Sequence, residues 1–172
     1  HVVGAAMTRD DLRAALVNPN VAAFLRVIRA GESSQDDAAY HVQYGGGHFD
    51  APPWEHPREK VTAGRWTSTA AGAYQFLAGT WDAVVARYRF PDFSPECQDE
   101  AAVALIHGRK ALADVIAGRF DAALGKCFED NSKWGDVGSE CEGAVQTLIE
   151  NEREAREQER EDNEARRKKQ ED

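Results

Sequence analysis

Hydrophobic residues recur at helical spacing in many parts of the chain, most clearly between residues 21 and 33. Four apolar residues there share one helix face: Val21, Phe24, Leu25 and Ile28. This pattern predicts an amphipathic helix over about 20–31, which Gly31 can end or bend. The next position on the apolar face is Glu32, where burial would raise the carboxyl pKa and suit a general acid. Glutamate is more often exposed, so the pattern also allows Glu32 to turn to solvent at a fraying helix end.

The start of the chain predicts a short leading helix. Thr8 precedes two acidic residues and then apolar ones, which predicts a helix over 8–17 with Thr8 as its N-cap. The triplet Asn18-Pro19-Asn20 interrupts that helix. We expect Asn20 to cap the amphipathic helix that follows.

Further helical patterns follow in the second half of the chain. One helix is expected to begin at Thr80, and another at Ser94, which is followed by proline and an acidic residue. Residues 101–106 are nearly all apolar, so this helix is expected to be the central buried one. Two short helices are expected over 111–116 and 120–124.

Helical periodicity is lost between residues 34 and 65. Tyr40, Val42 and Tyr44 alternate with polar residues before three glycines at 45–47, a pattern typical of a short hairpin or small sheet. A loop rich in Tyr, His and Trp that follows a possible acid is a place to seek a binding site. A surface flap with its aromatic side chains in the core fits the same pattern.

Composition narrows the possible classes of protein. The chain has 172 residues, 42% of them hydrophobic, which is enough for one domain with a real core. A net charge of −9 argues against nucleic acid as a partner. No apolar run approaches the roughly 18 residues that span a bilayer, and no secretory signal pattern is visible. We therefore expect no stable membrane insertion and a protein that stays in the cytoplasm of the cell that makes it.

Three segments of different character divide the chain. Residues 1–6 precede Met7 and are interpreted as a tag remnant. Residues 7–150 are expected to form the main folded domain, which carries the candidate acid Glu32. Residues 151–172 are rich in Glu and Arg, with charge pairs at helical spacing such as Glu152–Arg156, and predict a solvated helical or disordered tail.

Several kinds of site lack the pattern they need. No Lys-Ser/Thr follows the glycines at 45–47, so they are not a phosphate loop, and the Ser and His residues form no recognisable triad. The three cysteines are too few and odd in number for a disulfide framework, although Cys127 and Cys141 could pair. No Cys/His cluster has zinc-ligand spacing, so no metal is expected. Cys97 is expected in the first turn of a helix, where a thiol pKa can fall, but a structural thiol is the commoner case.

What remains is Glu32 together with the pair Tyr74-Gln75, and here the sequence resembles a known family. Between residues 20 and 127 it resembles the lambda-type phage endolysins, the lambda lysozyme family of lytic transglycosylases. The matching motifs agree in order and spacing: AFLRVIRAGES (23–33), YGG and HF (44–49), HPR (56–58), STAAGAYQFL (68–77), TWDA (80–83), DFSPECQDEAA (92–102) and ALADVIAGRFDAALGKC (111–127).

The resemblance implies an α+β, lysozyme-like fold: a mostly helical lobe, a small β-hairpin or sheet region, and a cleft between them. It implies a substrate, the glycan strands of peptidoglycan, and no cofactor. It also implies an endolysin that accumulates in the host cytoplasm and reaches the periplasm and cell wall once a holin opens the membrane. We expect a monomer.

In this family the acid at the end of the first core helix is the single catalytic residue, which the resemblance places at Glu32. The implied reaction cleaves the β-1,4 bond from N-acetylmuramic acid to N-acetylglucosamine without water and leaves a 1,6-anhydro end. Ordinary glycosidases use a second carboxylate, and four residues could supply one: Asp36, Asp37, Asp50 and Glu55. A hydrolytic muramidase and a non-catalytic wall-binding or assembly protein therefore stay open as alternatives.

The substrate-binding candidates are five residues near these motifs: Gln75, Tyr74, Tyr44, His48 and Ser33. Gln75 matches the family's Gly-x-Tyr-Gln motif, and a side-chain amide can donate to and accept from an N-acetyl group. Tyr74 is as compatible with a core position as with sugar stacking, and the HPR motif fits either a structural or a ligand role. The chain departs from the family after Cys127, where NSKWGDVGSECEG replaces a Gly-Tyr-Gly-Gln-like loop and puts the far wall of the cleft in doubt.

Overall fold

The computed structural model describes residues 7–34, 36–128, 154 and 157–171. The named helices are α1 (Arg9–Leu16), α2 (Pro19–Glu32), α3 (Ala78–Tyr88), α4 (Pro95–Gly108), α5 (Leu112–Ile116) and α6 (Phe120–Phe128). Short 3-10 turns cover Asp37–His41 and Tyr44–Gly46, and the strands are β1 (Val61–Ala63) and β2 (Trp66–Ser68). The mostly helical α+β prediction is confirmed.

The first helix begins as its sequence predicts. Thr8 is the N-cap of α1, and it forms a capping box with Asp11: each side chain accepts a hydrogen bond from the other residue's backbone N–H. The prediction for the next cap is wrong. Asn18, not Asn20, caps α2, because Pro19 lacks a backbone N–H and suits the first helical position. Asn20 lies inside the helix, where its side-chain amide donates to Ile116 O at 2.8 Å.

Helix α2 runs one residue further than predicted. Gly31 lies within the last turn and does not end the helix, which continues to Glu32 with Ser33 as C-cap. The Ser33 N–H donates to Arg29 O at 2.8 Å and closes that turn. The predicted apolar face is buried, since Val21, Phe24, Leu25 and Ile28 are each at most 2% exposed.

Helix α3 begins two residues before the expected Thr80. Its N-cap position is Leu77, whose side chain makes no capping hydrogen bond. Thr69 of the preceding loop supplies the acceptor instead, because its hydroxyl oxygen accepts from Ala78 N at 3.1 Å. The cap of α3 is therefore a tertiary contact, which local sequence cannot reveal.

Helix α4 is the central helix, as its sequence predicts. Ser94 caps it and Pro95 occupies its first position. Its buried residues pack against α1, α2, α3 and α5, and an aromatic cluster lies beside its start: Phe49, His56, Phe76, Trp81, Phe90 and Phe93. Helices α5 and α6 lie where the two short helices were expected.

The β region lies later in the chain than predicted. The segment expected to form a hairpin contains the two 3-10 turns and an antiparallel bridge between Val42 and His48, and Gln43 forms a second bridge with Ala71. The regular hairpin is formed by β1 and β2, with Gly64 and Arg65 at its turn. Strand β1 packs against the Tyr44–Gly46 turn, so one small region still includes both segments.

Part of the chain beyond α6 is also described. Residues 157–171 are helical and all their side chains are exposed. Cys141 and the segment NSKWGDVGSECEG lie outside the described residues, and the boundaries at residues 6, 150 and 151 stay predictions. Among the described helices, none combines the length and apolar character needed to cross a membrane.

Candidate active site

Glu32 occupies the last position of α2, on the side that carries the buried residues of the helix. The residue is half-buried, and its Oε1 atom is shielded from solvent. The helix end therefore presents one carboxylate oxygen toward the interior, as the apolar stripe predicts, and the rest of the residue stays accessible. A carboxyl group in such a boundary position can exchange a proton with a bound ligand.

Ser33 fixes the end of α2 to a second segment. Its hydroxyl donates to Ala73 O at 2.7 Å and lies 3.2 Å from Arg29 O. Ala73 belongs to the tight turn 72–75, so the Gly-Ala-Tyr-Gln motif lies directly beside Glu32 in the fold. Ser33 was expected to bind substrate, and the structure shows it joining the two segments of the site.

The turn 72–75 depends on a buried side chain of α4. Gln98 accepts from Ala73 N at 2.9 Å and donates to Phe93 O at 2.8 Å and Tyr40 O at 2.9 Å. Gly72 has a φ of +84°, and a Cβ there would lie 2.4 Å from Gln98 Oε1. Only glycine satisfies both the left-handed backbone and this close approach.

Gln75 is mostly buried, and its amide is oriented by backbone acceptors. Its Nε2 donates to Gly72 O at 2.8 Å and to Val42 O at 3.1 Å. A left-handed φ of +50° at Gln75 contributes to this geometry, and such backbone strain is common in functional sites. Since both hydrogen bonds use Nε2, the side-chain oxygen is the atom available to accept from a ligand.

Tyr74 is fully buried at 0% exposure. Its hydroxyl accepts from Arg29 Nη1 at 2.8 Å and donates to Asp99 Oδ1 at 2.6 Å, and Tyr40 donates to the same oxygen at 2.9 Å. We call Arg29, Tyr40, Tyr74 and Asp99 the site-side network. A buried ring offers no face to a sugar, so the structure favours the core position for Tyr74.

Burial controls protonation within the site-side network. It raises the pKa of Tyr74 well above its usual value and that of Tyr40 to about 12. Burial also raises the pKa of Asp99, although the hydrogen bonds from both tyrosines and the Arg29 charge oppose the shift. The tyrosines thus keep their protons at neutral pH and act as donors to the carboxyl.

The residues predicted from sequence to form the site do not include Asp99 or Arg29 of the site-side network. A signal was present, because Asp99 shares a face of α4 with Val103 and Ile106, both fully buried. This is the same pattern of an acid on an apolar stripe that identified Glu32.

Tyr44 and His48 lie on the segment that joins the turn 72–75 to the hairpin. Tyr44 N donates to Ala70 O at 2.9 Å, and its side chain is half-buried. His48 is exposed, and its ring lies 5.0 Å from that of His41. The segment is attached to the site turn by Gly72 N, which donates to Val42 O at 2.8 Å, so both candidates lie on the same side of the molecule as Gln75.

The first residue of the HPR motif, His56, has a structural role. His56 is buried, with Nε2 2.7 Å from Phe76 O, and its Nδ1 accepts from Arg58 N at 3.0 Å. The Arg58 side chain forms an exposed ion pair with Asp82. One cavity of about 470 Å³ is lined by this motif and another, also of about 470 Å³, by Tyr40, His41 and Trp54; Glu32 lines neither.

Other candidate groups for catalysis are less suited to it. Cys97 is buried, which raises its thiol pKa and disfavours a nucleophile. Within the described part of the chain, no group of three His, Cys, Asp or Glu residues could hold a metal ion. The possible second carboxylates are all exposed: Asp36, Asp37, Asp50 and Glu55.

Comparison with known proteins agrees with this geometry. The sequence model of the Endolysin family matches residues 22–153. The endolysin of Escherichia phage P2 is 32% identical over 123 residues, which are 63% of this chain and 74% of the relative. The endolysin of Escherichia phage lambda is 32% identical over 117 residues, 64% and 74% of the two chains.

Solved structures give the same result. Lysozyme from bacteriophage lambda superposes with a TM-score of 0.67 at 30% identity, covering 81% of this chain and 95% of that one. Bacteriophage lambda lysozyme complexed with a chitohexasaccharide gives a TM-score of 0.68 at 31% identity, with the same coverage. The chain therefore belongs to the endolysin family and has the lambda lysozyme fold.

Proposed function

We propose that this protein is a lytic transglycosylase that cleaves the β-1,4 bond between N-acetylmuramic acid and N-acetylglucosamine in peptidoglycan. The observation that carries the proposal is the position of Glu32, at the end of the core helix and bound through Ser33 to the turn that holds Gln75. Family membership supports a lysozyme-like cleavage of glycosidic bonds. The solved complex of lambda lysozyme with a chitohexasaccharide supports a glycan as the ligand.

The first chemical step is proton donation. Protonated Glu32 gives its proton to the glycosidic oxygen while the bond from that oxygen to C1 breaks, and the N-acetylglucosamine part of the strand leaves with a free hydroxyl. The remaining muramic acid carries positive charge at C1. The oxygen of its own N-acetyl group can share that charge, so no protein nucleophile is needed.

The second step closes the ring. The C6 hydroxyl of the same sugar attacks C1, and Glu32, now a carboxylate, takes the hydroxyl proton. A 1,6-anhydro sugar forms and Glu32 returns to its protonated state, so one carboxyl serves first as acid and then as base. No water is consumed.

We assign the neighbouring groups to substrate binding. We assign the Gln75 side-chain oxygen to accept from an N-acetyl N–H, and this is supported by the hydrogen bonds from its Nε2 to Gly72 O and Val42 O, which orient the amide. Tyr44 and His48 are assigned to the side of the cleft formed by their segment. Ser33 and Tyr74 hold the helix end and the turn together rather than contacting the sugar.

Mass spectrometry of products from purified sacculi tests the reaction. The proposal expects muropeptides with anhydro ends, each one water lighter than the hydrolysed product. Reducing ends would show a hydrolytic muramidase instead. Asp36→Asn and Asp50→Asn serve as matched controls, because the one-acid mechanism expects both to release glycan at the wild-type rate, whereas a required second carboxylate predicts a loss of activity.

We also propose that the protein acts as a monomer that waits in the host cytoplasm until a holin opens the membrane. Family membership supports this, and the substrate lies beyond that membrane. Cells that express the chain should lyse only when a holin is co-expressed, and sedimentation should give the mass of one chain. Lysis without a holin, or a dimer, would contradict the respective part of the proposal.

A further inference from the structure

We propose that Asp99 is a positioning residue for the catalytic acid. Through Tyr74 and Arg29 it holds the last turn of α2, and with it Glu32, in the orientation that proton transfer requires. The inference rests on the proposed role of Glu32 as the acid. It assigns a function to a carboxylate that contacts neither the substrate nor the reacting atoms.

The last turn of α2 is anchored at two points. Arg29 Nη1 donates to the Tyr74 hydroxyl at 2.8 Å, and Ser33 Oγ donates to Ala73 O at 2.7 Å. The two anchors lie on either side of Glu32 in sequence and reach adjacent residues of the turn 72–75. Rotation or fraying of the helix end would have to break both hydrogen bonds.

Asp99 orients the hydrogen bond between Arg29 and Tyr74 that forms the first anchor. The Tyr74 hydroxyl has a single proton, which it donates to Asp99 Oδ1 at 2.6 Å. With that proton engaged, the lone pairs of the hydroxyl oxygen face the Arg29 guanidinium. The direction of both hydrogen bonds therefore depends on an acceptor at position 99.

Asp99 also balances charge beside the acid. Arg29 is half-buried and lies one helical turn before Glu32, and burial makes its positive charge poorly screened. The groups that face Asp99 are Arg29 from α2, Tyr74 from the turn and Tyr40 from the 3-10 segment, with Glu96 on its own helix. Arg29 is the one cation in that set, so Asp99 is its counter-charge.

Tyr40 gives an internal comparison. Its hydroxyl donates to the same oxygen of Asp99 at 2.9 Å and lies beside the Tyr74 hydroxyl, whereas the hydrogen bond to Arg29 on α2 is made by Tyr74. We expect its removal to weaken the acceptor and to leave that path connected.

The test compares three variants of the full chain on soluble glycan strands. Tyr74→Phe interrupts the path with little change of shape, and Asp99→Asn weakens it, because a neutral amide oxygen accepts from the Tyr74 hydroxyl less strongly than a carboxylate and does not balance the Arg29 charge. Each is expected to lower kcat by about 10-fold to 100-fold with KM within about 2-fold, because misplacement of a catalytic group affects the transition state more than binding. Tyr40→Phe should lower kcat less than either.

A pH profile separates positioning from structural damage. In Asp99→Asn the Arg29 charge loses its counter-charge, which favours ionised Glu32. The alkaline limb of kcat should therefore move to lower pH, because the first step needs protonated Glu32. A purely structural role would lower activity at every pH without moving the limb.

Glu100→Gln is the matched control. Glu100 is the next residue of α4 and is also buried, but it binds Arg9 and Arg13 on α1. The Glu100→Gln variant should be less stable than wild type. Below its melting temperature it should keep the wild-type kcat, KM and pH profile. The double variant Asp99→Asn/Tyr74→Phe should lose no more activity than the worse single variant, since both substitutions act on one path.

Each outcome decides the question. Wild-type kcat in folded Asp99→Asn or Tyr74→Phe, or equal losses in Asp99→Asn and Glu100→Gln, would overturn the inference. Should Asp99→Asn not fold, Tyr74→Phe carries the test, because it removes one oxygen from a well-packed ring. Hydrolytic products would refute the transglycosylase proposal and leave this inference intact, whereas full activity of Glu32→Gln would refute both.

Discussion

Adjacent residues of α4 serve two different interfaces. Asp99 accepts hydrogen bonds from two tyrosine hydroxyls beneath the end of α2. The Glu100 side chain is 3% exposed and forms ion pairs with Arg9 and Arg13 on α1. Two further ion pairs join Asp114 to Arg119 and Lys126. We call these and the two ion pairs of Glu100 the peripheral ion pairs.

The carboxylates of the two regions differ in the groups that bind them directly. The cations of the peripheral ion pairs are partly exposed, so water screens these pairs and each adds modestly to stability. In the site-side network the direct partners of Asp99 are two neutral hydroxyls, which fix direction as well as position, and the Arg29 cation binds one of them, Tyr74. The network therefore suits the support of a catalytic group, and the peripheral ion pairs suit the joining of helices.

The largest expected effect breaks the turn that carries Tyr74. Gly72→Ala would place a Cβ 2.4 Å from Gln98 Oε1 and 2.8 Å from Phe93 Cζ at a φ of +84°. We expect a loss of about 2–4 kcal/mol in the free energy of unfolding, from backbone strain and overpacking together. Urea denaturation measures it.

Gly79→Ala provides the control for that prediction. A Cβ at Gly79 meets nothing within 4 Å in the first turn of α3, and alanine favours a helix, so stability should rise by at most about 1 kcal/mol. Equal effects at the two glycines would show that the turn does not depend on the close approach of Gln98.

Glu100→Gln tests the peripheral ion pairs. The variant keeps the shape of the side chain but removes the carboxylate that binds Arg9 and Arg13, and among the described residues only Arg13 of these two keeps an ion pair, with Asp10. We expect a loss of about 1–3 kcal/mol in the free energy of unfolding, with glycan release unchanged. Loss of activity in the folded variant would mean that the two interfaces of α4 are not separate.

The pH dependence of stability should have opposite signs in the two regions. Lys126 and Arg119 lower the pKa of Asp114. The contribution of Asp114 to folding stability is therefore present above its ordinary pKa of 3.8, and it is lost as the pH falls through the pKa of the folded state. The pKa of Asp99 is raised, so folding binds a proton between 3.8 and the folded value. The contribution of Asp99 to folding stability is greatest below pH 3.8 and declines as the pH rises.

Acid titration of two variants measures this contrast. The stability difference between wild type and Asp114→Asn should shrink on acidification below pH 3.8. Between pH 3.8 and the folded pKa, wild type should lose stability relative to Asp99→Asn as pH rises. Slopes of the same sign would contradict the assignment of hydroxyl and ionic partners to the two regions.

The smallest effect is expected at the surface. Arg58 and Asp82 form an ion pair whose side chains are 53% and 54% exposed. Such pairs are screened by water and add little, so Arg58→Ala should change neither the denaturation midpoint nor the rate of glycan release beyond experimental error. A marked loss of activity would instead give the HPR motif a ligand role.

The sequence predicted the parts of the fold that depend on local patterns. The cap at Thr8, the start of α4 at Ser94 and the buried face of α2 each follow from a few neighbouring residues. The cap of α3 comes from Thr69, nine residues earlier than Ala78. That contact, like the shift of the hairpin to 61–68, depends on tertiary packing that local propensity does not contain.

In the candidate site, the position of Glu32 was predictable from local sequence, but the contacts of Ser33 and Tyr74 were not. Glu32 lay on an apolar stripe and within a family motif, so pattern and resemblance pointed to the same residue. The roles of Ser33 and Tyr74 were not visible, because both depend on partners about forty residues away: Ala73 for Ser33, and Arg29 for Tyr74. Residue type allowed a sugar contact for Ser33 and either a sugar contact or a core position for Tyr74, whereas the structure shows Tyr74 buried and both residues joining α2 to the turn 72–75.

The most direct test of the account is Glu32→Gln on purified sacculi, with released muropeptides followed by mass spectrometry. Glutamine keeps the shape of the side chain and cannot donate or accept the catalytic proton. The account predicts anhydro-ended products from wild type and a rate at least about 100-fold lower from the variant. Release of glycan at equal rates by the two proteins would contradict it.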